Sequence, residues 1–222
     1  MPLLASQGSY RALPASEAYL RNPNHNYRND MHILTRFSLI ALLSLFLVGS
    51  ATAQNGQVPA SPKASISQTI GADTKITFDY SRPAVKGREV WGGLVPYGMA
   101  EGNQYSDEKP YPWRAGANEN TTVTFGSDVT VAGEPLAAGT YSIHMIPDET
   151  GEWTVIFNKA TDGWGSYKYD EGQDALRVMV TPTEAPMAEW LTYGFDDITP
   201  SSTQAYLHWA ELKVPFEIGV TE

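Results

Sequence analysis

The sequence predicts an all-β protein, a single antiparallel β-sandwich or barrel-like domain of about nine or ten short strands that spans residues 64–222. Short segments in which apolar and polar residues alternate recur along the chain, and this period of two is typical of half-buried strands. Turn-forming Gly, Pro, Asp and Ser residues separate these segments. After residue 54, no stretch keeps a helical period over about 11 residues.

The alternating segments can be assigned one by one. Gly71-Ala72-Asp73 and Gly126-Ser127-Asp128 each separate two such segments and predict hairpin turns. Residues 184–190 predict at most one short helical turn. The expected strands lie near residues 64–70, 75–80, 121–125, 129–131, 141–145, 153–157, 176–180, 191–195, 205–209 and 214–218.

Residues 31–53 have the pattern of a secretory signal peptide. A weakly basic start at Met31 is followed by the apolar run 37–48 and by Ala51-Thr52-Ala53, a small-residue cleavage site. The apolar run is shorter than the roughly 20 residues of a membrane-spanning helix. We therefore predict cleavage after Ala53, export to the periplasm or medium of a bacterium, and no stable membrane anchor afterwards.

Two further segments precede the domain. Residues 1–30 are polar and without periodicity, which predicts a spurious or disordered extension, with Met31 as the true start; an unusually long start of the signal peptide is the alternative. Residues 54–63 are polar and contain Pro, which predicts a tether.

Composition excludes several functions. The net charge of −10 disfavours nucleic acid and anionic membranes as partners. The chain has no Cys, so neither disulfides nor lipid attachment to Cys is expected. His144 and His208 are far apart in the sequence, and residues 170–174 lack the regular ligand spacing of a calcium loop. We expect no metal site and no cofactor.

The first candidate site is the loop Ser81–Gly98. It combines the cations Arg82, Lys86 and Arg88 with the aromatic Trp91, although the protein is acidic. Such a loop predicts an ordered surface that binds an anion or a sugar, since aromatic faces stack on sugar rings. The alternative is that these cations only pair with neighbouring acids.

The second candidate is the stretch Trp113–Thr122, which places several polar side chains just before a strand. Arg114, Asn118 and Glu119 offer the donors and acceptors that recognise a hydroxylated or anionic ligand. The alternative is a loop that closes on itself, with Arg114 paired to Glu119. The candidate ligand-binding residues are Arg82, Arg88, Trp91, Trp113, Arg114, Asn118 and Glu119; the strand patterns place Trp153, Trp190 and Trp209 in the core.

Three functional hypotheses remain open. The first is a non-catalytic domain that binds a polar small molecule, a glycan or a cell-envelope protein. The second is a hydrolase acting on envelope glycans or esters, with Glu119 or His144 as acid or base, although no nucleophile motif is present and a Glu119–Asp170 carboxylate pair depends on the fold. The third is a purely structural accessory domain.

Several motifs resemble a family of secreted bacterial proteins known only as a domain of unknown function (family 2911). The resemblance implies a compact β domain behind a signal peptide and brings no established activity or catalytic residues. One departure is the polar segment Met99–Pro112, which separates motifs that nearly adjoin in the family and is expected to cap the candidate loops or change what they admit. The motifs lie at residues 61–65, 79–83, 86–98, 114–122, 138–141, 152–157, 164–165 and 189–193.

Overall fold

The computed structural model describes residues 59–221, which form two antiparallel β-sheets packed face to face. The all-β prediction is confirmed, and because neither sheet closes on itself the domain is a sandwich and not a barrel. The predicted extension, the signal peptide and residues 54–58 of the tether lie outside the described residues. The strands are β1 Lys63–Ile70, β2 Thr74–Ser81, β3 Thr122–Phe125, β4 Val129–Val131, β5 Glu134–Leu136, β6 Gly139–Ile146, β7 Trp153–Asn158, β8 Asp174–Val180, β9 Thr183–Asp196 and β10 Ser202–Val220.

One sheet has six strands in the order β1-β2-β3-β6-β7-β8, and the other has four in the order β5-β4-β10-β9. Because apolar and polar residues alternate along the strands, the apolar side chains point into the space between the two sheets. Phe78 of β2 stacks on Tyr193 of β9 at 4.8 Å between ring centroids, and it meets Phe216 of β10 edge-on at 6.3 Å. These buried rings join the two sheets across the core.

The last two strands are longer than the sequence pattern predicts. The segments expected at 205–209 and 214–218 form one strand, with register shifts on both sides of Ala210, whose φ is 50°. Residues 184–190 belong to β9 and make no helical turn. Hydrogen bonds between β9 and β10 explain this difference, because cross-strand pairing overrides a weak local signal. Within residues 59–221, no helix has the length and apolarity needed to cross a membrane.

Candidate functional site

Polar residues form a row across the outer face of the six-stranded sheet. Each strand contributes one residue, and each residue pairs in register with the next. These side chains point away from the core because they occupy the polar positions of the alternating pattern. The row consists of Ser65, Asp79, Thr122, Ser142, Asn158 and Asp174.

The two halves of this row differ in their exposure. Ser65 and Asp79 are exposed, whereas Ser142 and Asn158 are fully buried. The connection between β7 and β8, residues 159–173, folds back over the second half and is here called the β7–β8 loop. The sheet therefore provides an open polar surface that ends against a covering loop.

A hydrogen-bonded relay attaches this loop to the sheet. The Ser142 hydroxyl donates to the Ala160 carbonyl at 2.8 Å, so its single proton is used. The Nε2 atom of His144, 3.0 Å from Ser142 Oγ, must then be the donor in that contact. Nδ1 of His144 is consequently unprotonated and accepts a hydrogen bond from Ser166 Oγ at 2.7 Å.

Burial fixes the charge state of this histidine. His144 is only 3% exposed, and its burial lowers its pKa to about 4, against an opposing effect of Asp174 and with a smaller contribution of Arg114 in the same direction. The imidazole is therefore neutral at pH 7. Both ring nitrogens have partners, and the side chain lies inside the protein, under the β7–β8 loop.

Asp174 anchors the end of the same loop. Its Oδ1 accepts from the Asn158 amide at 2.7 Å, and its Oδ2 accepts from the Tyr169 hydroxyl at 2.7 Å and from Arg177 Nε at 2.6 Å. Burial, and then the bond to Asp174, raises the pKa of Tyr169, so the phenol stays protonated. Asp170 caps the single 3-10 turn, since its Oδ1 accepts from the backbone N–H of Gly172 at 2.9 Å.

The segment 114–121 lies directly beside the β7–β8 loop. The carbonyl of Asn118 accepts both from Arg114 Nη1 at 2.8 Å and from the Gly165 N–H at 2.9 Å. The Asn120 N–H donates to the Gly163 carbonyl at 3.0 Å, and Glu119 pairs with Trp164 as an isolated antiparallel bridge. These contacts join the predicted polar loop to the covering loop.

Glycine is required at the centre of this junction. Gly165 has a φ of +66°, and a Cβ atom at this position would come within 3.1 Å of the Arg114 guanidinium carbon. A side chain here would therefore displace the Arg114 guanidinium, which bonds the Asn118 carbonyl.

Arg114 and Glu119 do not form the pair that the sequence suggested. Glu119 instead bonds Lys63 at 3.0 Å, while Arg114 closes the loop through the Asn118 carbonyl. The backbone N–H of Glu119, and then Lys63, keep the pKa of this carboxyl below its usual value. At neutral pH Glu119 is thus an ionised, exposed acceptor of hydrogen bonds.

Three depressions adjoin one another through Glu119 and Asn120, and Trp164 lines two of them. An open groove of about 370 Å³ is lined by Asp79, Glu119 and Asn120. A more enclosed cavity of about 130 Å³ is lined by Asn120, Ser166 and Trp164. A third depression of about 430 Å³ lies between Glu119 and Trp164. We call the surface formed by Trp164, Asn120, Glu119 and Asp79 the Trp164 site.

The indole of Trp164 lies between the enclosed cavity and the third depression and is 61% exposed. Large aromatic side chains are usually buried, and an exposed indole beside polar groups is typical of binding surfaces. Sequence reasoning missed its role. The sequence contains two signals that Trp164 lies in a loop and not in a core strand. It is flanked by Gly163 and Gly165, and the residues around it do not alternate between apolar and polar.

The two arginines of the first candidate loop bond to the protein itself. Arg82 Nε donates to the Leu191 carbonyl at 2.8 Å and so ties β2 to β9 of the other sheet. Arg88 donates to the carbonyls of Val85 at 3.0 Å and Ala84 at 2.7 Å. Their guanidinium groups thus hold the loop through backbone carbonyls, whereas the sequence alternative was pairing with neighbouring acids.

Trp91 and Trp113 belong to a cluster of four indoles at the core. Trp91 meets the rings of Trp113, Trp153 and Trp209 edge-on, with centroids 4.8–5.8 Å apart. Of the seven candidate residues, Glu119 lies in the Trp164 site, Arg114 and Asn118 lie in the adjoining contact with Gly165, and the other four lie elsewhere. Trp190, expected in the core, is 37% exposed on β9.

The charge of the site indicates which ligands it favours. The enclosed cavity is lined by one cation and one carboxylate, Lys168 and Asp162, whereas in the open groove the carboxylates of Asp79 and Glu119 face Lys63, which is already paired with Glu119. An anion would meet an excess of negative charge here, whereas sugar hydroxyls can donate to the carboxylates and to the Asn120 amide. In residues 59–221, no cluster of three or more His, Asp or Glu residues has the arrangement of a metal site.

The fold and site together define a β-sandwich in which loops over one sheet face form a polar and aromatic surface. The chain belongs to the family described as "Protein of unknown function (DUF2911)", whose model matches residues 61–218. The resemblance seen in the sequence motifs is thereby confirmed. No curated protein and no solved structure matches the chain.

Proposed function

We propose that this protein binds an uncharged, hydroxylated ligand, a glycan, at the Trp164 site. The observation that carries the proposal is the exposed indole of Trp164, which lines two adjoining depressions next to a polar groove. Its flat face can stack on a sugar ring, while the carboxylate of Glu119 beside it accepts hydrogen bonds from hydroxyl groups. Rigid positioning supports this role, because the relay through His144 holds the loop that carries Trp164.

We propose further that the protein is exported, with its signal peptide removed after Ala53, and that it meets its ligand in the periplasm or outside the cell. A glycan of the cell envelope fits this location. A cell-envelope protein is the other kind of ligand that an exposed tryptophan can anchor. The volumes of the open groove and the third depression, about 370 and 430 Å³, favour a sugar, since they lie in the range of small-molecule sites.

The alternative of a hydrolase rests on one contact. Ser166 donates to an unprotonated His144 nitrogen, which is the arrangement of a serine nucleophile and its base. Against this reading, burial lowers the pKa of His144 to about 4, and a base is most effective when its pKa lies near the working pH. Ser142, which orients the ring, is also a weaker partner for a developing imidazolium than a carboxylate. Binding is therefore the better-supported function.

The test measures thermal stabilisation of the purified protein by a panel of neutral glycans, with sialic acid and spermine as charged probes. A glycan should raise the melting temperature of the wild type by mass action and fail to do so with Trp164→Ala. Trp190→Ala is the matched control, because Trp190 is an exposed tryptophan of the other sheet. Stabilisation by sialic acid alone, or glycan binding that survives Trp164→Ala, contradicts the proposal.

A further inference from the structure

The segment Met99–Pro112 forms an ordered loop of its own. Ala100 and Tyr111 exchange both backbone hydrogen bonds, at 2.8 and 3.2 Å, and so close its ends. Inside the loop, the Asn103 side chain accepts from the Tyr105 N–H at 2.8 Å and donates to the Tyr111 hydroxyl at 3.0 Å. Ser106 is buried and bonds the Asn103 N–H at 2.9 Å. These bonds fix the position of Tyr105 on the surface.

This segment contacts the β7–β8 loop. Tyr111 lies edge-on to Tyr167 with centroids 5.1 Å apart, and Tyr105 lies 5.6 Å from the same ring. Lys168 Nζ bonds Asp107 at 2.9 Å, an exposed pair that stabilises little. The aromatic contacts therefore hold the segment in place.

The two most exposed aromatic side chains of residues 59–221 both lie at this loop. Trp164 belongs to it, and Tyr105, which is 62% exposed, packs on it through Tyr167. The backbone from residue 164 to residue 167 spans at most about 10 Å, so Trp164 lies close to the residue on which Tyr105 packs. Lys168, which bonds the segment, also lines the enclosed cavity next to Trp164. Trp164 thus lines this cavity, and Tyr105 packs on Tyr167, which lies in sequence between the cavity residues Ser166 and Lys168.

We infer that Tyr105 forms a second aromatic subsite, so that the protein binds a neutral oligosaccharide extending from Trp164 over the β7–β8 loop to Tyr105. The inference rests on the proposed function of the Trp164 site. Tyr167 itself is covered, because Arg114 lies 5.9 Å from its ring centroid and Tyr105 packs against it. Tyr105 is therefore the ring that faces outward. Glu101, Asp107 and Glu108 on the segment disfavour an anionic chain.

The test is calorimetric titration of the full chain with cello-, manno- and chito-oligosaccharides, each from the monosaccharide to the hexasaccharide. Affinity for the series that binds should rise with length. Tyr105→Ala should weaken the longest member about tenfold, or about 1.4 kcal/mol, and leave the shortest binding member unchanged. Tyr105→Phe, which keeps the ring, should bind like the wild type. Tyr97→Ala, which removes an exposed tyrosine of another loop, should also bind normally.

The outcomes separate the two proposals. If no oligosaccharide binds, or if Trp164→Ala binds like the wild type, the proposed function fails and the inference fails with it. If Trp164→Ala abolishes binding while Tyr105→Ala binds every length like the wild type, only the second subsite is wrong. Circular dichroism of each variant verifies that the substitution left the fold intact.

Discussion

Ser166 Oγ lies 2.7 Å from Nδ1 of His144 and donates a hydrogen bond to it. This contact joins the β7–β8 loop to the outer face of the six-stranded sheet, and through that loop it positions Trp164. The imidazole that accepts the bond is buried and neutral. The geometry of the proposed site therefore depends on a buried histidine, which also bonds Ser142 in the polar row of the sheet.

The first prediction concerns pH. The pKa of His144 falls from 6.5 to about 4 on folding, so below pH 6.5 the unfolded chain binds a proton that the native protein excludes. The free energy of unfolding should fall as the pH drops from 6.5 to 4, by about 3 kcal/mol for this group. Urea titrations of the wild type and His144→Gln at stepped pH values measure the difference.

The histidine variant should show a flatter pH dependence than the wild type in this window. His208→Gln is the control for loss of a histidine, since His208 bonds only the Pro186 carbonyl on the other sheet. Parallel curves for wild type and His144→Gln between pH 6.5 and 4 would show that His144 does not titrate as a buried neutral group.

The second prediction concerns Asp174. Removing this carboxylate in Asp174→Ala leaves three donors without their acceptor and should destabilise the protein by about 2 kcal/mol. Asp107→Asn is the matched control, because the Asp107–Lys168 pair is exposed, and it should change the midpoint of chemical unfolding little. Equal midpoints for the two variants would contradict the anchoring role of Asp174.

The third prediction concerns Gly165. Gly165→Ala combines an unfavourable positive φ with a contact against Arg114, whereas Gly87→Ala has the same kind of φ, +67°, with nothing within 4 Å. The backbone effect should cost both variants about 1 kcal/mol. Only Gly165→Ala should lose more stability than that and lose glycan binding as well. If the two variants unfold at the same denaturant concentration, the two loops are not packed as described.

The fourth prediction concerns Arg82, one of the residues that the sequence assigned to a ligand site. Its guanidinium bonds the Leu191 carbonyl and the Thr192 hydroxyl of β9, so Arg82→Ala should lower stability by about 1–2 kcal/mol. The affinity of the folded variant for a glycan should stay at the wild-type value. A folded Arg82→Ala protein with lost affinity would instead place Arg82 in the site.

The fold could be predicted from the sequence because alternation and turn residues are local signals. They located most strands, and they failed where pairing decides the structure, as in the long β10 and in residues 184–190 of β9. The site depends on non-local contacts. Arg114, Asn118 and Glu119 were found because their polar groups are crowded in sequence. Ser142, Ser166 and Asp174 come together only through strand register and loop return, which no spacing reveals.

The most direct test of the central claim is to follow the indole N–H signals of the six tryptophans in a ¹H–¹⁵N correlation spectrum while the stabilising glycan is added. Trp164→Phe assigns the signal of Trp164 by its loss. We predict that this signal shifts in proportion to saturation, while those of the buried Trp153 and Trp209 and of the distant Trp190 stay in place. A saturable shift of the Trp190 signal with Trp164 unmoved would place the binding surface on the other sheet and contradict the account.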